Sequence, residues 1–154
     1  MTDAASMLPA VYAAAQTPQA GAATADLVRS LGAAAQPDIV AARRLLHRFP
    51  EVSGHEANTQ KLLCEQLDDL GIPYPKLDNN GIIATIAGTA PGAYDADGAP
   101  VRRVALRADM DALCVTGQTG LDFASANGCM HACGHDMHAA MLLGAAKLLR
   151  EYQG

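Results

Sequence analysis

Residues 130–138 read Met-His-Ala-Cys-Gly-His-Asp-Met-His. Three histidines, one thiol and one carboxylate thus fall within nine residues, and Cys129 adds a second sulfur just upstream. Thiolate sulfur and imidazole nitrogen in one short stretch suit a transition metal. Gly134 lets the backbone turn sharply between Cys133 and His135. Asp136 then stands where the N-cap of the following apolar helix is expected. One histidine on an apolar face is more often a packed core residue than a ligand. Three with a cysteine point to a metal site.

A second chemical feature is Arg-Ala-Asp-Met-Asp at 107–111. In extended backbone Asp109 and Asp111 face the same side, because side chains alternate. Two carboxylates aimed together repel unless a cation or proton lies between them. Alone the pair reads as a polar turn after a strand. Beside the Cys/His loop it points to one shared site, at the carboxyl end of a strand where α/β sheets gather functional groups.

The elements that must position these groups follow from periodicity. Pro37-Asp38 is expected to open a helix, with Ile39, Ala42, Leu45, Leu46 and Phe49 on its apolar face and Pro50 ending it. A second helix is expected over 56–70, closed by Gly71 at C′. Asn79-Asn80-Gly81 marks a turn. Residues 82–87 and 101–108 read as two strands, with Val104, Ala105 and Leu106 as the buried kernel of the second. They are expected to pair across a Gly/Pro-rich loop. A last helix is expected over 137–152. His47 and His55 lie far from the metal loop in sequence and read as bystanders. Residues 1–36 read as an alanine-rich extension with a short helix near 24–31. This order suits an α/β domain.

Composition bounds the partners. The 154 residues are 50% hydrophobic and 18% charged, with a net charge of -5, so a packed core is expected and a nucleic-acid or anionic-membrane partner is not. Arg43-Arg44 and Arg102-Arg103 are isolated basic pairs. The four cysteines at 64, 114, 129 and 133 are not the dense framework of a small secreted scaffold. Cys64 reads as a buried small hydrophobe, and Cys114 has no obvious partner. No apolar run is long enough to span a bilayer, and the first basic residue is Arg29. A cytoplasmic location is expected.

Three segments carry a family resemblance. They are Arg-Arg-Leu-Leu-His-Arg-Phe-Pro-Glu at 43–51, followed by Glu56 and Thr59; Ala-Leu-Arg-Ala-Asp-Met-Asp-Ala-Leu at 105–113; and the run from Met130 to Ala146. Residues 37–154 resemble the N-terminal part of the hippurate hydrolase and auxin-conjugate amidohydrolase group, within the aminoacylase and carboxypeptidase family of metallopeptidases. The resemblance implies a partial catalytic domain of zinc-exopeptidase-like α/β fold, a mixed sheet flanked by helices, without the lid or dimerisation domain. It implies hydrolysis of the amide bond of N-acyl amino acids, two divalent metal ions (zinc, manganese or cobalt) and a small-molecule substrate. It also implies homo-oligomers in a full-length form. Cys133 and His135 fall on metal ligands. Asp111 falls on the acid of the catalytic machinery that orients a metal-binding ligand, and Asp109 and Asp136 fall on further motif positions.

The chain departs from the pattern at Cys114 and Asp122, where the family usually has proline, and at Gly117, where it usually has glutamate. The family's Glu-Glu pair and later histidines are not in this sequence, so weak or no turnover is expected from these residues alone. Two other readings compete. One is a structural zinc module in which Cys129, His131, Cys133 and His135 share one ion, which would leave Asp109 and Asp111 apart from it. The other is an inactive truncated gene product.

Overall fold

The computed structural model describes residues 22–152. The rest of the expected extension, residues 1–21, lies outside the described residues. The regular elements are α1 (Ala22–Arg48), α2 (Ala57–Asp69) and α3 (His135–Glu151).

Helix α1 does not open at Pro37. It begins at Ala22 and carries Pro37 within it, so the expected 36/37 boundary falls inside one helix. Proline in a helix interior removes a hydrogen bond and costs about 3 kcal/mol. The alanine-rich stretch before it has the strongest helix propensity available, and Ala35 is buried. Packing of α1 along α3 further offsets the cost. The two helices approach closely because α3 presents Ala139, Ala140 and Gly144, all buried. A Cβ added to Gly144 would lie 2.4 Å from Cδ1 of Ile39 on α1. Lys147 of α3 also pairs with Asp38 of α1 at 2.6 Å.

Helix α2 ends as the sequence predicts. Gly71 has φ +62, its amide donates to Asp68 O, and the Ile72 amide donates to Leu67 O. This is the Schellman pattern, and its accompanying apolar contact comes from Leu67 and Ile72, both buried. The other end is capped from a distance. Glu51 accepts the Thr59 amide (2.7 Å), the Thr59 hydroxyl (2.8 Å) and the Asn58 side chain (2.7 Å). Burial alone would raise the Glu51 pKa, but these hydrogen bonds outweigh it and hold the carboxyl below its ordinary 4.5.

The expected mixed sheet is not seen. Among the described residues strand pairing consists of isolated bridges. Residues 82–87 do not pair with 101–108. Instead Ile82 bridges Lys76, and Ile83 and Thr85 donate to Pro75 and Pro73 across the Asn79-Asn80-Gly81 turn. Asn80 takes φ +64 in that turn. Closing this short hairpin costs less entropy than spanning the long 88–100 loop. The expected buried kernel of the second strand lies open, with Val104 87% and Leu106 57% exposed. No described strand lies beside it to cover those side chains.

The core gathers where α1, α2 and α3 meet. Leu46, Leu63 and Ala139 are buried together, with Leu62, Ile82, Ala108, Met110 and Leu143 packed against them. Burying one leucine of this kind contributes roughly 1.5–3 kcal/mol. Among the described residues no helix is long and apolar enough to cross a membrane.

Candidate metal centre

Two short connections hold residues 111–113 in place. Ala112 bridges Val52 in parallel, its amide donating to Glu51 O at 2.7 Å. Leu113 and Met130 form an antiparallel bridge, exchanging both hydrogen bonds at 3.1 and 2.9 Å. The bridge brings the segment of Asp111 alongside the loop that feeds α3.

That loop turns tightly. The Gly134 amide donates to His131 O, and Gly134 sits at φ +87, a left-handed conformation that favours glycine. Gly134, not Asp136, is the N-cap of α3. Asp136 is the second helical residue, where a carboxylate still complements the helix dipole.

The turn delivers Cys133 and His135 to Asp111. His135 Nδ1 lies 2.8 Å from Asp111 Oδ1 and 3.2 Å from Asp111 O. Cys133 Sγ lies 3.8 Å from the same carbonyl oxygen. A carboxylate only accepts, so Nδ1 carries the proton and Nε2 keeps a lone pair. A carboxylate behind a histidine in this way fixes tautomer and ring orientation for metal binding. Cys133 is exposed, and His135 and Asp111 are half-buried. The His138 ring lies 6.4 Å from that of His135.

Asp109 accepts from Arg107 at 2.6 Å at the surface. The four-donor arrangement of Cys129, His131, Cys133 and His135 is not assembled. Among the described residues no three His, Cys, Asp or Glu side chains are grouped to hold a metal ion. The donor set therefore fits part of a metal site: one thiol, one imidazole and the acid that orients it.

Beneath the loop lies a network that sequence distance concealed. Asp136 is 1% exposed. Its Oδ2 accepts His47 Nδ1 at 2.7 Å and pairs with Arg43 Nε at 3.0 Å, and its Oδ1 accepts the Met137 amide at 2.9 Å. Arg43 and Arg44 both stack over Phe123, and His47 meets its edge. His47 is thus part of the support of the site, contrary to the expectation of a bystander. The i, i+4 spacing of Arg43 and His47 was the available signal, because it puts both on one helix face. His131 is buried, and neither ring nitrogen has a hydrogen-bond partner among the described residues.

 The His131 side chain is enclosed with 4% of the residue exposed, and burial lowers its pKa below the ordinary 6.5. A cavity of about 380 Å³ runs between α1, α2 and α3, but none of Asp111, Cys133 and His135 lines it.

The chain is similar to known proteins. Residues 105–154 match the model of peptidase family M20/M25/M40. The chain is 46% identical over 112 residues to thermostable carboxypeptidase 1 of Saccharolobus solfataricus, covering 72% of this chain and 27% of that protein. It is 42% identical over 120 residues to the N-acetyl-L-cysteine deacetylase of Bacillus subtilis, covering 77% of this chain and 27% of that protein. Among solved structures, a Bacillus subtilis protein described as a dinuclear metal-binding peptidase of the M20 family superposes with a TM-score of 0.67 at 35% identity, over 82% of this chain and 33% of that one. That neighbour supports an α/β peptidase-like fold, although the sheet itself is not seen among the described residues. The chain spans about a quarter to a third of the length of these proteins. The chain is thus similar to peptidase family M20/M25/M40, whose model residues 105–154 match, and most of its length resembles relatives named as carboxypeptidase and deacetylase.

Proposed function

We propose that residues 37–154 carry part of the metal centre of a hydrolase that cleaves the amide bond of N-acyl amino acids. The observation that carries this reading is the 2.8 Å contact between Asp111 and His135, with Cys133 against the same aspartate. Cys133 Sγ and His135 Nε2 would hold a divalent metal, and Asp111 would keep His135 in the tautomer that leaves Nε2 free. Sulfur favours zinc on softness, while the oxygen donors of such sites also admit manganese or cobalt. When bound, the metal polarises the amide carbonyl and lowers the pKa of water. The chain's own contribution is placement. The Leu113–Met130 bridge registers the acid against the loop, Gly134 turns the loop, and Asp136, His47 and Arg43 fix the start of α3 beneath it.

Two names among the relatives support the substrate class. One relative is a deacetylase of N-acetyl-L-cysteine and the other a carboxypeptidase. Cleavage of an amide bond next to an amino-acid carboxylate is common to both chemistries. The structural zinc module has less support, because its four donors do not converge.

A chimaera tests the proposal. Residues 105–146 of this chain replace the aligned segment of the Bacillus subtilis deacetylase, and amine release from N-acetyl-L-cysteine is followed. The chimaera is expected to keep activity and to lose it with Cys133→Ser or His135→Ala. A folded, metal-loaded chimaera without activity, or one indifferent to both substitutions, would contradict the proposal.

A further inference from the structure

Cys114 was left without an obvious partner by its sequence context, and the structure supplies one. Leu113 and Met130 are a hydrogen-bonded antiparallel pair, each amide donating to the other's carbonyl. One step along, Cys114 comes opposite Cys129. In a continuing antiparallel ladder such a neighbouring pair has Cα atoms about 4.5 Å apart; here the bridge is isolated, and the Val115 amide closes a tight turn at Cys114 onto Leu113 O at 2.8 Å. A disulfide spans Cα separations of roughly 4.4–6.8 Å. The proximity has a second mark. Local desolvation, then the charge and hydrogen bond of the Cys114 thiol, push the Cys129 pKa up.

The surroundings favour this pairing over others. All four thiols are free, with Cys114 exposed and Cys129 half-buried, so a small oxidant reaches both. Cys64 is buried in α2. Cys133 lies against Asp111 O. Asn127 steadies the Cys129 side of the bridge, since its Oδ1 accepts the Cys129 amide at 3.0 Å and its Nδ2 donates to Pro50 O at 2.8 Å.

We propose that Cys114 and Cys129 form a reversible disulfide that clamps the Leu113–Met130 bridge, locking the segment of Asp111 against the loop of Cys133 and His135. The oxidant is a low-molecular-weight disulfide. The thiolate of one cysteine attacks a sulfur of that disulfide, forming a mixed disulfide and releasing one small thiol. The thiolate of the second cysteine then attacks the protein-bound sulfur and releases the other small thiol. The two cysteine sulfurs are oxidised, the small disulfide is reduced, and the two thiol protons end on the two released thiols. The clamp is a property of the bridge and stands whether or not the hydrolase reading holds.

The test oxidises the full 154-residue chain with glutathione disulfide, under native conditions and in urea. Remaining thiols are then alkylated, and the chain is cleaved before aspartates. Cleavage at Asp111, Asp122 and Asp136 separates Cys114 from Cys129 and Cys133. The expected native product joins the 111–121 and 122–135 fragments through Cys114 and Cys129, leaves Cys64 and Cys133 alkylated, and reverts with dithiothreitol. In urea this linkage is expected to become a minor product, because Cys129 then meets Cys133 more readily across a short loop. Cys114→Ser is expected to leave a glutathione adduct on Cys129. Amide exchange at Met130 is expected to slow by about tenfold or more in the oxidised chain, as the cross-link disfavours local opening. Bonding through Cys133, stable glutathione adducts at both Cys114 and Cys129, or four alkylated thiols would overturn the disulfide. Unchanged exchange at Met130 would overturn the clamp.

Discussion

Replacing Asp136 with asparagine probes the network under the loop at constant shape. Two donors and one cation converge on this carboxylate: His47 Nδ1 on Oδ2, the Met137 amide on Oδ1, and the ion-paired Arg43 guanidinium beside Oδ2. An asparagine offers one acceptor and one donor. In either flip an NH₂ group faces a donor or the cation, since the Met137 amide occupies one side and Arg43 the other. A change of His47 tautomer relieves only its own contact. Losing a charge-assisted hydrogen bond costs roughly 1.5–3 kcal/mol. Stranding a fully buried partner charge raises that to about 3–5 kcal/mol. The Arg43 side chain is 28% exposed and can turn toward water, which keeps the total at the lower end, about 2–3 kcal/mol. Urea unfolding followed by circular dichroism measures this as a lower midpoint at unchanged m. In a double-mutant cycle, His47→Ala and Asp136→Asn should couple by about 1 kcal/mol or more. A loss under roughly 0.5 kcal/mol with no coupling would refute the reasoning, placing Asp136 among ordinary surface positions.

Further outcomes follow from other contacts. Gly144→Ala should destabilise by about 1 kcal/mol, as overpacking against Ile39 outweighs the gain in helix propensity, and Ile39→Ala should relieve the clash in the double variant. Thermal melts of the single and double variants check this. Glu51→Gln should cost about 1 kcal/mol through the lost cap on α2. Because the folded Glu51 pKa is depressed, this contribution is present above 4.5 and fades as pH falls through the folded value, so the wild-type and variant denaturation midpoints should converge in acid. His131→Leu should be neutral or stabilise by about 1 kcal/mol, since it removes two buried polar atoms without partners. A clear loss of stability in the same unfolding assay would contradict that.

Local signals in the sequence proved readable where the chain decides its own conformation. Gly71 announced the end of α2, and Asn79-Asn80-Gly81 announced the turn, though not the Lys76–Ile82 pairing across it, because both depend on backbone conformations that few residues tolerate. The approach of Cys133 and His135 to Asp111 was also legible, from donor density on one side and a strand-like run ending in acid on the other. Long-range packing was not. His47 lies 89 residues from Asp136, and its i, i+4 spacing from Arg43 shows a shared helix face but not that α1 passes beneath the start of α3. Pro37 suggested a boundary because its local cost is certain, whereas the helix packing that offsets it is tertiary. The apolar run at 101–108 suggested a buried strand, yet burial needs a neighbouring strand that no described residue provides. Asp136 looked like a cap by type, but the left-handed turn at Gly134 moved the helix start two residues earlier.

A cobalt titration of the chain tests the central claim most directly. Thiolate-to-cobalt absorption should appear in the wild-type protein and vanish with Cys133→Ser. Asp111→Asn should keep the band but weaken affinity by about 10–100-fold, because the acid orients His135 without binding the ion itself. Cobalt binding of equal strength in wild type, Cys133→Ser and Asp111→Asn would contradict the account.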